Sequence, residues 1–156
     1  MICIQIPGFR KLELDRLVLD YNGTLAIDGE LVDGVADRLR ALSAQLTIHV
    51  VTADTFGRAG GALAGLPCEL LVLPKNRQAG GKLAYVNRLG ARRCACIGNG
   101  RNDRLMLRAA ALGIAVVLAE GASAETLVSA RVVATSITDA LDLLIHPLRL
   151  VATLRS

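Results

Sequence analysis

A chain of 156 residues fits one domain, and its 53% hydrophobic residues with only 3% aromatic ones call for an aliphatic core of Leu, Val, Ile and Ala. The formal charge of +4 is spread over arginines such as Arg38, Arg58 and Arg92 with no interleaved aromatics, which reads as solvated helix faces and argues against nucleic acid as a partner; Arg101 and Arg104 differ, since they flank the acidic corner at Asp103 and can attract anions. No apolar run approaches the ~20 residues of a membrane span, and the first residues carry no basic leader, so the expectation is a cytoplasmic protein whose four cysteines are reduced, small core residues.

Residues 2–6 and 11–14 read as a small hairpin around Pro7-Gly8. Residues 16–19 are the first core strand, an apolar run that ends in Asp20 and a turn of Asn22-Gly23-Thr24. A run that short, closed by an acid and a glycine turn, reads as a buried parallel strand delivering a carboxylate to its C-terminal end. In open α/β sheets that edge is where ligands bind. Residues 25–27 and 30–32 flank Asp28-Gly29, a two-residue hairpin signal. Asp33 is placed to cap a helix running to about residue 43, with Val35, Leu39 and Leu42 on one face.

The second strand is 46–51, followed by a helix around 55–63 and a third strand at 70–73. A helix over 81–89 leads to the fourth strand, 94–97, which runs into Gly98-Asn99-Gly100-Arg101-Asn102-Asp103. This is again a strand, a glycine turn and an acid. A helix over 102–111, a strand at 114–118, a helix at 123–129, a short strand at 132–133 and a helix at 138–144 stopped by His146-Pro147 complete the pattern. Strands alternating with helices imply right-handed crossovers and a parallel sheet. His49 sits mid-strand and reads as a core or face histidine; Gly60-Gly61 and Gly80-Gly81 read as boundary glycines, since their spacing is not that of a dinucleotide fingerprint.

Asp20-x-Asn22-Gly23-Thr24, then Thr52 after a strand, then Lys82, then Gly98-Asn99-Gly100-x-Asn102-Asp103, resemble in order and spacing the haloacid dehalogenase superfamily of phosphatases and phosphotransferases. Within it the pattern is most similar to the soluble, P-type-ATPase-like members. The resemblance covers nearly the whole chain. It implies a single core domain over 1–156: a Rossmann-like, three-layer α/β sandwich with a central parallel sheet and a small flap hairpin. The gaps from Thr24 to Thr52 and from Thr52 to Lys82 are too short to hold a folded cap domain.

Phosphoryl transfer needs a nucleophile, a cation, and donors for the equatorial oxygens. Asp20 is the candidate nucleophile, forming an aspartyl-phosphate. Gly23 permits the sharp turn that lets main-chain N–H groups approach a phosphate, with Thr24 beside it. Thr52 is placed to donate its hydroxyl to phosphate, helped by the N–H of Ala53. Lys82 stands at an expected helix start, where the macrodipole disfavours a cation, which points to a partner charge; Lys75 is its competitor. The resemblance implies Mg²⁺ held by Asp20, the main-chain carbonyl of Asn22 and the motif at 99–103, with Asn102 touching the phosphate. Two positions depart from the family pattern. Asn22 stands where the phosphatases carry an acid, and an amide cannot transfer the proton that general acid–base catalysis needs, an effect of about 10²–10⁴-fold. Asn99 stands where a metal-binding Asp is usual, leaving Asp103 as the remaining carboxylate.

Two functions follow as expectations. One is an Mg²⁺-dependent phosphohydrolase of low turnover acting on a small phosphorylated substrate. The other is a catalytically silent phosphate-binding or interaction domain on the same scaffold. An open, capless site and an apolar hairpin at 25–32 also suggest a homo-oligomer, a dimer or tetramer packed through that hairpin or the tail at 148–154.

Overall fold

The computed structural model describes residues 1–54 and 57–156. The chain opens with β1 (Ile2–Ile6) and β2 (Arg10–Leu14), an antiparallel hairpin whose alternate residues Ile2, Ile4, Ile6, Leu12 and Leu14 are buried. β3 (Arg16–Leu19) follows, with a small flap of β4 (Ala26–Ile27) and β5 (Glu30–Leu31) after it. Then come α1 (Val35–Ser43), β6 (Thr47–Thr52), α2 (Ala59–Ala62), β7 (Glu69–Val72) and α3 (Gln78–Leu89). The chain ends with β8 (Cys94–Gly98), α4 (Arg104–Ala109), β9 (Leu112–Val116), α5 (Ala124–Ser129), β10 (Val132–Ala134), α6 (Ile137–Ile145) and α7 (Pro147–Leu154).

Six strands form one parallel sheet in the order β10-β9-β8-β3-β6-β7. β3 lies at its centre, so Leu17, Val18 and Leu19 have no solvent contact. The period of two sorts the strands onto two faces. Leu17, Leu19, Ile48, Val50, Ile97 and Ile114 pack with α1, α6 and the β1–β2 hairpin. Val18, Val51, Cys94, Cys96 and Ala115 pack on the other face, with Val86 of α3 and Met106 of α4. Burying each such side chain is worth about 1.5–3 kcal/mol, which an almost wholly aliphatic core must supply many times over. The expected three-layer α/β sandwich is what the chain forms.

Several expected boundaries move. Asp33 does not cap α1: the N-cap is Gly34, left-handed at φ 82°, and no side chain caps the helix. β9 begins two residues before the expected 114, because its register is set by Ala95 opposite Leu112. Gly113 weakens the strand signal in sequence, yet its missing Cβ leaves room for the main chain of Leu107 in α4. α3 starts at Gln78 rather than 81, so Gly80 and Gly81 lie inside it. The expected helix at 102–111 is a 3-10 turn at Arg101–Asp103 followed by α4. In the expected helix around 55–63, Thr55 and Phe56 lie outside the described residues, and the helix seen is Ala59–Ala62. Pro147 ends α6 and opens α7, for its fixed φ suits the first helical position.

The apolar residues expected to seek a partner divide. Leu25 of the flap is fully buried and Leu31 and Val32 pack on the same core, whereas Ile27 is half-buried and Leu148 of the tail is exposed. Leu150 of α7 is fully buried, and this helix packs against β1. The cysteines divide as well: Cys94 and Cys96 are buried on one face, whereas Cys68 is half-buried and Cys3 is exposed, contrary to its expected core place. No helix among the described residues is long and apolar enough to cross a membrane.

Candidate phosphoryl-transfer site

Asp20 caps the C-terminal end of the central strand, where its own N–H still donates to the Ile97 carbonyl at 3.0 Å. The chain then turns sharply. The Tyr21 carbonyl accepts the N–H groups of Thr24, Leu25 and Ala26, at 3.2, 2.9 and 3.0 Å. Gly23 makes this turn with φ 74°, and a Cβ there would run into the Asn99 side chain, 2.8 Å from its Cγ. The two corners anticipated from sequence are therefore packed against each other.

Behind them lies a buried charge cluster. Lys82 Nζ donates to Oδ1 of Asp20 and to Oδ1 of Asp103, each at 2.6 Å. Oδ2 of Asp103 accepts the N–H groups of Asn99 and Gly100 at 3.0 and 2.9 Å, which shapes the 98–103 loop. Gly98 makes this possible, since a Cβ there would lie 2.5 Å from the Asp103 carboxyl carbon. Burial and the neighbouring charge of Asp103 push the Asp20 carboxyl up to about 6, although Lys82 pulls the other way. Burial alone would lower the Lys82 pKa, but the two carboxylates outweigh it and hold the ammonium above the ordinary lysine range. Lys82 is in the second turn of α3, not at its start, so the ion pairs and not the macrodipole explain its environment. Lys75 is exposed and plays no part.

Asp20, Asn22, Thr52, Ala53, Asn99 and Asn102 line one cleft of about 180 Å³. Lys82 and Asp103 are buried behind it, and Thr24 is buried beside Asp20. Thr52 ends β6, where its Oγ1 accepts the Asp54 N–H at 2.9 Å, leaving its own proton to donate. Asp54 in turn accepts the N–H groups of Arg58 and Ala59, both at 3.0 Å, at the start of α2. Asn102 donates to the Gln78 side chain. Asn99 donates from Nδ2 to the Gly121 carbonyl at 3.0 Å, which turns its Oδ1 toward Thr24 Oγ1 at 3.2 Å. The Oδ1 of Asn22 is buried with no hydrogen-bond partner among the described residues.

Two lining residues were not anticipated from sequence, Gln78 and Glu120; Gly100 lines the cleft as part of the expected 99–103 motif. Gln78 entered the cleft because α3 starts three residues early. Glu120 follows β9 and accepts the Asp28 N–H of the flap at 2.9 Å. The rule that sites gather at the C-terminal edge of a parallel sheet was the available signal for it. His49 is buried away from the cleft, 2.9 Å from the Tyr85 hydroxyl, and desolvation keeps its pKa low.

The fold implies a divalent cation, and the donor set can be tested against one. Asp103 has both oxygens committed, to Lys82 and to two N–H groups. Asp20 Oδ2 and Asn99 Oδ1 remain, both directed at the Thr24 hydroxyl, at 3.5 and 3.2 Å. Among the described residues no group of three or more His, Cys, Asp or Glu side chains is arranged to hold a metal. One carboxylate and one amide oxygen fit a hard cation that keeps most of its water, as Mg²⁺ does. They would hold it weakly.

The parallel sheet, the Asp20 corner and the buried lysine define a haloacid dehalogenase-like fold, and phosphatases of that superfamily are among the structural neighbours. One is the 3-deoxy-D-manno-octulosonate 8-phosphate phosphatase of Moraxella catarrhalis, solved with magnesium, phosphate and its sugar: TM-score 0.67, 16% identity, 85% of this chain and 86% of that one. Another is the cobalt-bound phosphatase YrbI of Haemophilus influenzae, with TM-score 0.69, 15% identity, and 85% and 88% coverage. A zinc-transporting PIB-type ATPase matches with TM-score 0.64 and 22% identity over 78% of this chain and 20% of that one. At these identities the likeness is one of fold. No family model matches the sequence. Two proteins of Methanocaldococcus jannaschii match it directly: Uncharacterized protein MJ0073, 52% identical over 59 residues, and Uncharacterized protein MJ0072, 44% identical over 39 residues. The matches take up 38% and 25% of this chain. The chain spans 63% of MJ0073 and 89% of MJ0072, and it belongs to the family of the latter.

Proposed function

We propose that the protein is a phosphohydrolase of low turnover that accepts a phosphoryl group on Asp20. The observation that carries this reading is the Lys82 ammonium, fixed between Asp20 and Asp103 behind a cleft to which Thr52, Ala53 and Asn102 bring neutral donors beside the Asp20 carboxylate. A merely structural aspartate at a strand end needs no buried lysine, and burying three charges together is costly unless each is paired.

In the reaction so read, an Asp20 oxygen attacks phosphorus and the bond to the leaving oxygen breaks. Lys82 orients the carboxylate and offsets charge as the transferring group arrives. The Thr52 hydroxyl, the Ala53 N–H and the Asn102 amide are the donors for its equatorial oxygens, with Gly23 keeping the turn free of a side chain. A divalent cation, when bound by Asp20, Asn99 and the Asn22 carbonyl, supplies neutralisation of the phosphate charge. Asp103 is read as a positioning group, since it holds Lys82 and the 98–103 loop. Asn22 can neither protonate the leaving group nor activate water, which slows both halves of the reaction. The cleft of about 180 Å³ is below the usual 300–1,000 Å³ of ligand pockets, so it suits a phosphate and little else. A small phosphorylated substrate would leave most of its body outside. The free thiols agree with a reducing, cytoplasmic setting.

A second reading, a silent phosphate-binding domain, draws support from one feature: the Oδ1 of Asn22, buried with no partner among the described residues, sits where the chemistry needs an acid. Incubation with Mg²⁺ and either beryllofluoride or acetyl phosphate separates the two. The enzyme reading expects a stoichiometric adduct on Asp20, seen by mass spectrometry, that is absent in Asp20→Asn. Phosphate binding with no adduct under any condition leaves the silent domain.

A further inference from the structure

A second cleft lies at the opposite edge of the sheet. Its volume is about 430 Å³, more than twice that of the Asp20 cleft. It is walled by Arg10 and Lys11 of β2, Arg92 of the turn before β8, Arg108 near the end of α4, and Arg131 before β10. These segments meet at the N-terminal ends of β8, β9 and β10, so the cleft is separated from Asp20 by the length of the strands.

The charge around it is distinctive. Among the described residues eight arginines elsewhere take carboxylate partners, including Arg38 with Asp142 at 2.8 Å, Arg93 with Asp15 at 2.6 Å and Arg101 with Glu125 at 2.8 Å; Arg77, Arg88 and Arg155 stand unpaired but apart from one another in sequence, whereas four of the arginines without a partner gather in this one cleft. Among the described residues no carboxylate lies within ion-pair distance of Arg10, Arg92, Arg108 or Arg131. Only Lys11 is paired, with Glu13. Arg10 is held in place by stacking over the Phe9 ring at 4.6 Å. Four guanidinium groups brought to one concavity without a counter-charge repel each other, and each offers the planar fork that matches phosphate oxygens.

We propose that this cleft binds a compact anion carrying two or more phosphate groups, at a site distinct from the Asp20 cleft. The charge asks for a polyanion, because one phosphate cannot balance four arginines. The concavity and its volume, within the usual range of ligand pockets, favour a small ligand over an extended one. Among the described residues no aromatic side chain lines it, so these offer no platform on which a nucleobase would stack. Recognition is by charge and by guanidinium–phosphate geometry alone.

The test is calorimetric titration of the full chain with inorganic tripolyphosphate, beside orthophosphate. Saturable binding of tripolyphosphate, tighter than orthophosphate and weakening steeply with salt, is expected. Arg108→Ala with Arg131→Ala should weaken it at least about tenfold, while Arg108→Lys with Arg131→Lys weakens it less and Arg88→Ala leaves it unchanged; circular dichroism verifies that each variant is folded. Should the alanine pair not fold, the lysine pair alone must still bind more weakly than the parent. Binding that survives the arginine changes but is lost in Thr52→Val places the anion at the Asp20 cleft and overturns the proposal. Tighter binding of duplex DNA than of tripolyphosphate, sensitive to the same arginines, overturns it in favour of a nucleic-acid surface.

Discussion

Lys82 Nζ stands 2.6 Å from Asp20 Oδ1 and holds the carboxylate at the end of β3 from behind. A lysine on α3 and an aspartate 62 residues earlier are thereby joined beneath the cleft. Breaking a buried pair by removing one partner costs about 3–5 kcal/mol, because the other charge is stranded. Lys82→Met should therefore lower the unfolding free energy by an amount of that order in urea denaturation. An unchanged midpoint would show that the pair is not formed in solution.

The same pair governs a titration. Asp20 titrates near 6, with Lys82 holding it lower than burial and Asp103 would leave it. Carboxyl NMR shifts should show Asp20 changing charge near that pH in the metal-free protein, and at higher pH in Lys82→Met. The folded carboxyl binds its proton more tightly than the unfolded one, whose value is 3.8. Its contribution to stability is thus fully present below pH 3.8 and is lost as the pH rises through about 6. Adduct formation on Asp20 should follow the opposite course, rising through the same range as the nucleophile ionises.

Asn99→Asp has two effects of opposite sign. It supplies a charged ligand for a cation, but it replaces the Nδ2 donor now bonded to the Gly121 carbonyl with an acceptor. Without metal the variant should melt below the parent, since a facing pair of acceptors costs about 1–3 kcal/mol. Added Mg²⁺ should raise its melting temperature more than it raises the parent's. A variant that melts like the parent and ignores Mg²⁺ would sink the assignment of Asn99 to the cation site.

Asn22→Asp restores a group able to transfer a proton, in a place where Oδ1 now has no partner among the described residues. If proton transfer limits turnover, hydrolysis of an aryl phosphate should rise by about 10²-fold or more. Glu120 is the other carboxylate lining the cleft besides Asp20. Should the parent hydrolyse phosphate esters at all, Glu120→Gln will show whether that residue stands in for the missing acid: a slowed rate with an altered pH profile is the expected sign, and an unchanged profile excludes it.

Gly23→Ala should abolish the site. It forces a side chain into φ 74° and into the Asn99 amide. The left-handed conformation alone costs about 1–2 kcal/mol. Loss of the Asp20 adduct together with a lower melting temperature is expected, and normal adduct formation would show that the two corners are not packed together as described.

Sequence carried the architecture because its signals are local. The apolar run before Asp20, the alternation along β1 and the Pro147 stop are each legible within a few residues, and together they placed Asp20, Asn22, Thr52 and Asn99 at one edge of a parallel sheet. Boundaries slipped where a glycine broke the pattern, as at Gly81 and Gly113, because the reason for each glycine is a neighbour distant in sequence. Asp33 was misjudged for the same cause: whether a residue caps a helix is decided by what packs around it. Only the tertiary structure brought Lys82 between two carboxylates, committed Asp103 to Lys82 and the loop, placed Glu120 in the cleft, and gathered four unpaired arginines into one concavity. Charge placement depends on distances across the fold, which local patterns do not encode, whereas strands and helices follow from a periodicity each segment carries within itself.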